Sequence, residues 1–175
     1  NHIDETDSDP LLAVAVGSVA RMQTNVHNET GHEVAESRTY FSIPGSGAGT
    51  EGTHYDATRF AYDDSGRRIR TKDPTGTIRR TTYDLRGRAT EERIGTNDNG
   101  LPGGEASGTS NVLKTVEREY DGGAAGKNSH LTKMSGYKDG SAKDDTTLTY
   151  DYRGRKILDL PALAPFSVHK YDNMG

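Results

Sequence analysis

The sequence predicts an all-β fold of antiparallel β-hairpin repeats, and three observations carry that expectation. The first is composition: of 175 residues only 30% are hydrophobic, with 27 Leu, Ile, Val and Phe, against 21 Gly and 9 Tyr. A chain short of aliphatics yet rich in Thr, Tyr and Gly suits strands and tight turns, and excludes a conventional helical core. The second is a recurring hexad. Tyr62-Asp63-Asp64-Ser65-Gly66-Arg67 returns as Tyr83-Asp84-Leu85-Arg86-Gly87-Arg88 and as Tyr150-Asp151-Tyr152-Arg153-Gly154-Arg155, and a fourth copy opens at Tyr171-Asp172-Asn173-Met174-Gly175. The third is the period, since 21 residues separate Tyr62 from Tyr83 and again Tyr150 from Tyr171. Repetition at a fixed spacing marks a repeat architecture.

Taken in order, residues 1–18 form an acidic leader or loop with one short apolar strand, Leu11 to Val16. Residues 19–175 are expected to form the β-ribbon, truncated at its C-terminal end, with no separate enzyme or toxin domain expected. A degenerate copy, His27-Asn28-Glu29-Thr30-Gly31-His32, comes first, followed by a strand around Arg38 to Phe41 and a Gly-rich insertion from Ile43 to Gly49. After the first full hexad, Asp73-Pro74-Thr75-Gly76 supplies the opposite turn, so one unit reads tip, strand, turn, strand. Thr77 to Tyr83 and Asp145 to Tyr150 are Thr-rich, without helical periodicity. Two longer intervals carry Gly/Ser/Asn-rich loops, from Gly95 through Ser110 and from Gly122 to Asn128. Tyr120-Asp121-Gly122-Gly123 keeps only the first half of the hexad.

Each hexad position has a mechanical use. Asp at the first turn position with Gly three residues on favours a type I turn followed by a left-handed residue. Asp63, Asp84 and Asp151 accept hydrogen bonds from the turn's own backbone. Gly66, Gly87 and Gly154 take positive φ, giving three-residue hairpins with a bulge. Asp63 with Arg67, Asp84 with Arg88 and Asp151 with Arg155 become closing ion pairs. Tyr62, Tyr83, Tyr150 and Tyr171 start the packing row. An isolated hairpin is marginal in water, so cohesion has to come from stacking neighbours.

The charge balance is mild: 22 Lys+Arg against 26 Asp+Glu leave −4. The acidic pI near 5.9 argues against a nucleic-acid footprint. Without cysteine there is no disulfide framework, thiolate metal site or cysteine nucleophile. No apolar run is long enough for a transmembrane helix, and Asn1-His2-Ile3-Asp4-Glu5 does not open a signal peptide.

The remaining candidates for chemistry each have a plainer reading. Asp121-Gly122-Gly123-Ala124-Ala125-Gly126-Lys127-Asn128 has Asp121 where a phosphate loop starts with Gly and Asn128 where it needs Ser or Thr, so it reads as a repeat loop. Gly45-Ser46-Gly47-Ala48-Gly49 lacks the strand–helix setting of a dinucleotide fingerprint. His27 and His32 have no metal-ligand spacing. Asp7, Asp9, Asn97, Asp98 and Asn99 offer oxygens to calcium without the ordered ladder of a calcium loop, and read as solvated acidic loop. Asn28-Glu29-Thr30 matches a glycosylation sequon by pattern. The Tyr row suits packing or sugar stacking, and the tip Arg residues suit closing pairs or a ligand stripe.

The Tyr-Asp-x-x-Gly-Arg unit at about this period resembles the YD repeat of RHS proteins, shared with the teneurin extracellular region. The resemblance runs from about Val19 to Gly175. It implies a long curled antiparallel sheet or part of a hollow YD-repeat shell, which in that family encloses a C-terminal toxin or stands at a cell surface for adhesion. Arg68, Ala89 and Lys156 occupy positions where the family usually has Leu, and Ile69 and Ile157 are expected to take over that packing. The family's self-cleaving core motif is not found in this sequence.

The resulting expectation is a non-enzymatic structural segment of a large bacterial extracellular or cell-surface scaffold, with no cofactor and no metal. Its partners would be neighbouring repeats of the same or an identical chain, paired through β-edges. A self-assembling fibre subunit and a glycan- or receptor-binding adhesion module stand as alternatives.

Overall fold

A computed structural model describes residues 22–123 and 128–172. The apolar strand expected within residues 1–18, the Gly-rich residues 124–127 and the end of the fourth hexad at Gly175 lie outside the described residues. The strands are β1 (Met22–His27), β2 (Val34–Tyr40), β3 (Tyr55–Tyr62), β4 (Arg68–Lys72), β5 (Ile78–Tyr83), β6 (Ala89–Gly95), β7 (Leu113–Tyr120), β8 (Leu131–Tyr137), β9 (Lys143–Tyr150), β10 (Lys156–Pro161) and β11 (Ser167–Val168). Neighbouring strands pair antiparallel in chain order, from β1 to β3 and from β4 to β11, and among the described residues the one helical element is a three-residue 3-10 turn at Asp121–Gly123. The expected all-β hairpin architecture is therefore observed. The chain divides into two compact units, one holding residues up to Phe60 with Asp73–Thr75, the other Ala61–Lys72 and Gly76 onward.

In the first unit the core is small. Tyr40 and Tyr55 face each other across β2 and β3 with ring centroids 5.1 Å apart, and Ala57 and Met22 complete the cluster. The Tyr40 hydroxyl donates to the Ala48 carbonyl at 2.8 Å, anchoring the insertion that follows β2. Around this core the strands are zipped by charge: Glu36 lies opposite Arg59 and is bound by both Arg38 and Arg59. The degenerate copy forms a tip, but a wider one than its sequence implies. Its closing bond runs from the Asn28 N–H to the Glu33 carbonyl, so Glu33, not His32, completes the turn.

In the second unit, register sets like charges in rows. Arg70 lies opposite Arg80, Arg80 opposite Arg93, and Arg93 opposite Lys114, across β4 to β7. A second row runs Thr82, Glu91, Glu117, Ser135, Asp145 from β5 to β9. Like charges directly opposite repel, and here counter-ions sit between them. The Lys114 ammonium binds Glu91 at 2.6 Å and Glu117 at 3.0 Å, and the Tyr137 hydroxyl donates to Glu117 at 2.6 Å. Ser135 and Lys133 both bind Asp145. Ile78 is the single large apolar side chain with no exposed surface among the described residues. Ionic ladders between strands thus replace much of the apolar core that the composition cannot supply.

The 95–112 connection departs from the expected solvated loop. Its Asp98 is fully buried, reached by Arg70 Nε at 2.8 Å and Arg80 Nη1 at 2.5 Å. Glu105 adds bonds to Arg70 at 2.6 Å and to Lys72 at 2.9 Å, while Arg80 Nη2 donates to the Pro102 carbonyl. The loop is stapled internally by Asn111, whose Oδ1 accepts from the Thr96 and Asn97 N–H groups. Reading Asp98 as a solvated or calcium-facing carboxylate is corrected: two inward Arg side chains need a counter-ion, and this loop brings it. Gly104 allows that approach, since a Cβ there would stand 2.2 Å from the Asp98 carbonyl oxygen. Gly104→Ala is accordingly expected to lift the loop and destabilise the chain by about 1–3 kcal/mol in urea unfolding, with hydrogen exchange accelerated over residues 96–112.

Candidate functional site

The residues that recur in the sequence converge on one structural device, the hairpin tip and its contact with the next tip. At the first tip the Asp63 N–H donates to the Arg67 carbonyl and the Gly66 N–H to the Asp63 carbonyl, both at 2.9 Å. Asp63 Oδ1 accepts the Ser65 and Arg67 N–H groups, and Oδ2 accepts Arg67 Nε at 2.7 Å. The tips Asp84 to Arg88 and Asp151 to Arg155 repeat this pattern bond for bond, with Arg Nε to Asp Oδ2 at 2.7 and 2.8 Å. Gly66, Gly87 and Gly154 carry φ of 72, 80 and 77°. The expected closing pairs are present at all three tips.

These bonds also hold the Asp residues ionised. Burial raises the pKa of Asp63 and Asp151, and the backbone and guanidinium donors of Arg67 and Arg155 outweigh it, so both lie below the ordinary carboxylate value. At Asp84 the backbone N–H of Arg88 is the leading cause of the same lowering.

Each tip Arg has a second use that the sequence did not reveal. The Arg67 guanidinium lies 5.0 Å from the centroid of the Tyr83 ring, and its Nη1 donates to the Asp84 carbonyl at 2.9 Å. Arg88 lies 4.3 Å over the Tyr120 ring and binds Asp121 Oδ2 at 2.9 Å. Arg155 lies 4.5 Å over Tyr171, with Nη1 3.4 Å from the Asp172 carbonyl. Each of the three full hexads therefore closes its own hairpin with its Arg and clasps the Tyr-Asp of the next with the same guanidinium. Cation–ring contacts of this kind contribute about 0.5–1 kcal/mol at exposed sites.

The Tyr residues answer with their hydroxyls. Tyr83, Tyr120, Tyr150 and Tyr171 donate to the carbonyls of Arg68, Ala89, Leu131 and Lys156, at 3.3, 3.1, 2.8 and 2.8 Å. In each case the acceptor is the residue immediately after the preceding tip. A carbonyl serves whatever the side chain, which is why Arg68, Ala89 and Lys156 stand in place of Leu without breaking the joint. Ile69 and Ile157 are half-buried. Tyr62 ends β3 ahead of the first tip.

The half-copy at Tyr120 keeps the closing frame of a tip across a longer loop. The Asp121 N–H donates to the His130 carbonyl at 2.9 Å, and Asp121 Oδ1 accepts the His130 N–H at 3.1 Å, the frame that Asp63 makes with Arg67. His130 thus holds the Arg position, and its ring stacks on Tyr150 with centroids 4.4 Å and planes 18° apart. The reading that this copy departs from the motif is corrected, because five inserted residues between Asp121 and His130 hid the closing residue from a pattern of fixed length. Gly154 faces the same imidazole: a Cβ there would stand 2.9 Å from His130 Cε1 and Nε2. Gly154→Ala should therefore lower the melting temperature more than Gly87→Ala, where the nearest atom is Arg67 Nη1 at 3.7 Å. Both incur the left-handed backbone penalty of about 1–2 kcal/mol, and only the first displaces a ring.

Among the described residues no group of three or more His, Asp and Glu forms a metal-ligand set, and none is in a helix long and apolar enough to cross a membrane.

No protein-family model matches the chain, and no curated protein sequence matches it. Among solved structures, the crystal structure of TcdB2-TccC3 is similar with a TM-score of 0.56 at 16% identity, over 85% of this chain and 7% of that one. The crystal structure of TcdB2-TccC3-Cdc42 gives a TM-score of 0.49 at 15% identity, over 76% of this chain and 6% of that one. The first of these likenesses is one of fold, and this chain spans less than a tenth of the length of the chain it matches. In fold this chain resembles part of TcdB2-TccC3.

Proposed function

We propose that this chain is a structural segment of a large RHS-type shell or scaffold of a bacterial cell exterior, and that its work is mechanical and non-catalytic. The observation that carries the reading is the joint between successive tips: one Arg closes its own hairpin and clasps the next Tyr-Asp. Such a device propagates hairpin by hairpin and needs no central core, as repeat proteins require. The likeness in fold to part of TcdB2-TccC3 supports it, as does the match of the hexad to the YD repeat. Neighbouring repeats, in this chain or an identical one, are the proposed partners.

The test is the denatured mass of the polypeptide isolated from its natural source, with peptide mapping past Gly175. A mass several-fold above the 19.0 kDa of these residues, with peptides continuing the Tyr-Asp-x-x-Gly-Arg period, supports the scaffold. A polypeptide of about this mass, with no further repeats, overturns it.

A further inference from the structure

Where one tip meets the strand that leads into the next, the surface is indented, and two such clefts are built from equivalent positions of the repeat. The first, of about 490 Å³, is lined by Tyr62, Asp63 and Asp64 at the first tip and by Thr82 and Tyr83 at the end of β5, among others. The second, of about 390 Å³, is lined by Asp121 and His130 of one tip and by Thr149 and Tyr150 at the end of β9, among others. Asp63 and Asp121 open their tips, and Tyr83 and Tyr150 lead into the following ones, so Thr82 and Thr149 hold the same place in the repeat. We propose that the two clefts are subsites for one neutral polysaccharide chain, each seating a sugar ring. The inference goes beyond the scaffold reading and does not depend on it, because both clefts lie within the second compact unit.

The lining sets the class of ligand. Every Arg, Glu and Asp around the clefts except Asp64 is bound within the chain. In the first cleft Asp63 is held by Arg67, Arg80 by Asp98, and Glu91 by Arg93 and Lys114. In the second, Arg88 holds Asp121 and Arg155 holds Asp151. A polyanion would find each lining Arg already neutralised, so counterion release could not drive its binding. The groups left open are acceptors and hydroxyls: Thr82, Thr149 and Asp64 are exposed, and their side chains make no hydrogen bond among the described residues. Beside them, Tyr83 with Leu101 and Pro102, and Tyr150 with Leu148, supply apolar walls. A sugar ring matches both halves of such a lining, because its C–H face packs on apolar and aromatic side chains while its hydroxyls meet the polar groups. Four strands separate the clefts in the sheet, about 19 Å at the ordinary strand spacing. One glycan chain that reaches both gains over a fragment that fills one.

The experiment probes a printed array of neutral and anionic oligosaccharides with the full chain, then follows a retained neutral glycan by heteronuclear NMR titration. Retention of neutral glycans is expected, with amide shifts centred on Asp64, Thr82 and Thr149. A hexasaccharide should bind at least about tenfold more tightly than the disaccharide of the same sugar, since only the longer chain reaches both clefts. The double replacement Thr82→Val with Thr149→Val keeps side-chain shape and strand preference and removes both open hydroxyls. It is expected to weaken binding by at least about tenfold while melting like wild type. Retention of anionic glycans alone, no retention, or shifts confined to other surfaces overturn the proposal. Equal affinity for the two chain lengths, or full binding by the double variant, counts equally against it.

Discussion

Replacing Asp98 by Ala is expected to release the 96–112 loop and to cost about 3–5 kcal/mol, the usual penalty for removing one partner of a buried ionic cluster. Arg70 and Arg80 are 7% and 8% exposed and lie directly opposite each other in register. Without Asp98 the two guanidiniums would repel across β4 and β5 in a place water barely reaches. Urea unfolding reads the loss. The triple replacement Arg70→Met, Arg80→Met, Asp98→Leu should recover most of it, since a well-packed apolar trio removes the charges along with their need for one another. A loss below about 1 kcal/mol for Asp98→Ala would show that the cluster does not hold the loop.

The same cluster sets an acid limit. Burial raises the pKa of Asp98, but hydrogen bonds from Arg70 and Arg80 outweigh it, and the carboxyl lies below its ordinary value. At Glu105 the Lys72 ammonium is the leading cause of a shift in the same direction. A lowered carboxylate contributes stability that is complete above the ordinary value near about 4 and is lost as pH falls through the lower folded value. Acid unfolding below about pH 4 should therefore be shallower in Asp98→Ala than in wild type.

The second large effect is expected at Tyr150. Tyr150→Ala removes the ring stacked on His130 and the hydroxyl bond to the Leu131 carbonyl, at a cost of about 2–3 kcal/mol for a half-buried aromatic. Tyr150→Phe keeps the ring and should lose about 1 kcal/mol, the net worth of one hydrogen bond. Hydrogen exchange locates the damage: protection should fall at the Asp151 to Arg155 tip and at the start of β8, and stay unchanged at the Asp63 to Arg67 tip. Uniform loss across all tips would mean that the joints do not act locally.

The tips were legible in the sequence because every constraint on them is local. Asp63, Gly66 and Arg67 lie within one turn, so a type I turn with a left-handed glycine and an i to i+4 ion pair follows from residue types and spacing alone. The strands were legible for a similar reason, as Thr-rich alternation between two tips leaves little else to form. The Tyr120 tip was missed because its closing residue, His130, arrives after an insertion, and only the hydrogen bonds to Asp121 identify it.

What the sequence by itself determined is therefore the all-β hairpin class, the position of each full tip, its closing pair and its left-handed glycine. Tertiary structure decided which Tyr each Arg clasps, that Arg70, Arg80, Arg93 and Lys114 fall in one row, and that Asp98 crosses to neutralise the first two. The physical reason is range. A turn is set by dihedral preferences within a few residues, whereas the Arg70–Asp98 bond joins positions 28 residues apart and exists only once strand register has brought like charges together and made a counter-ion necessary.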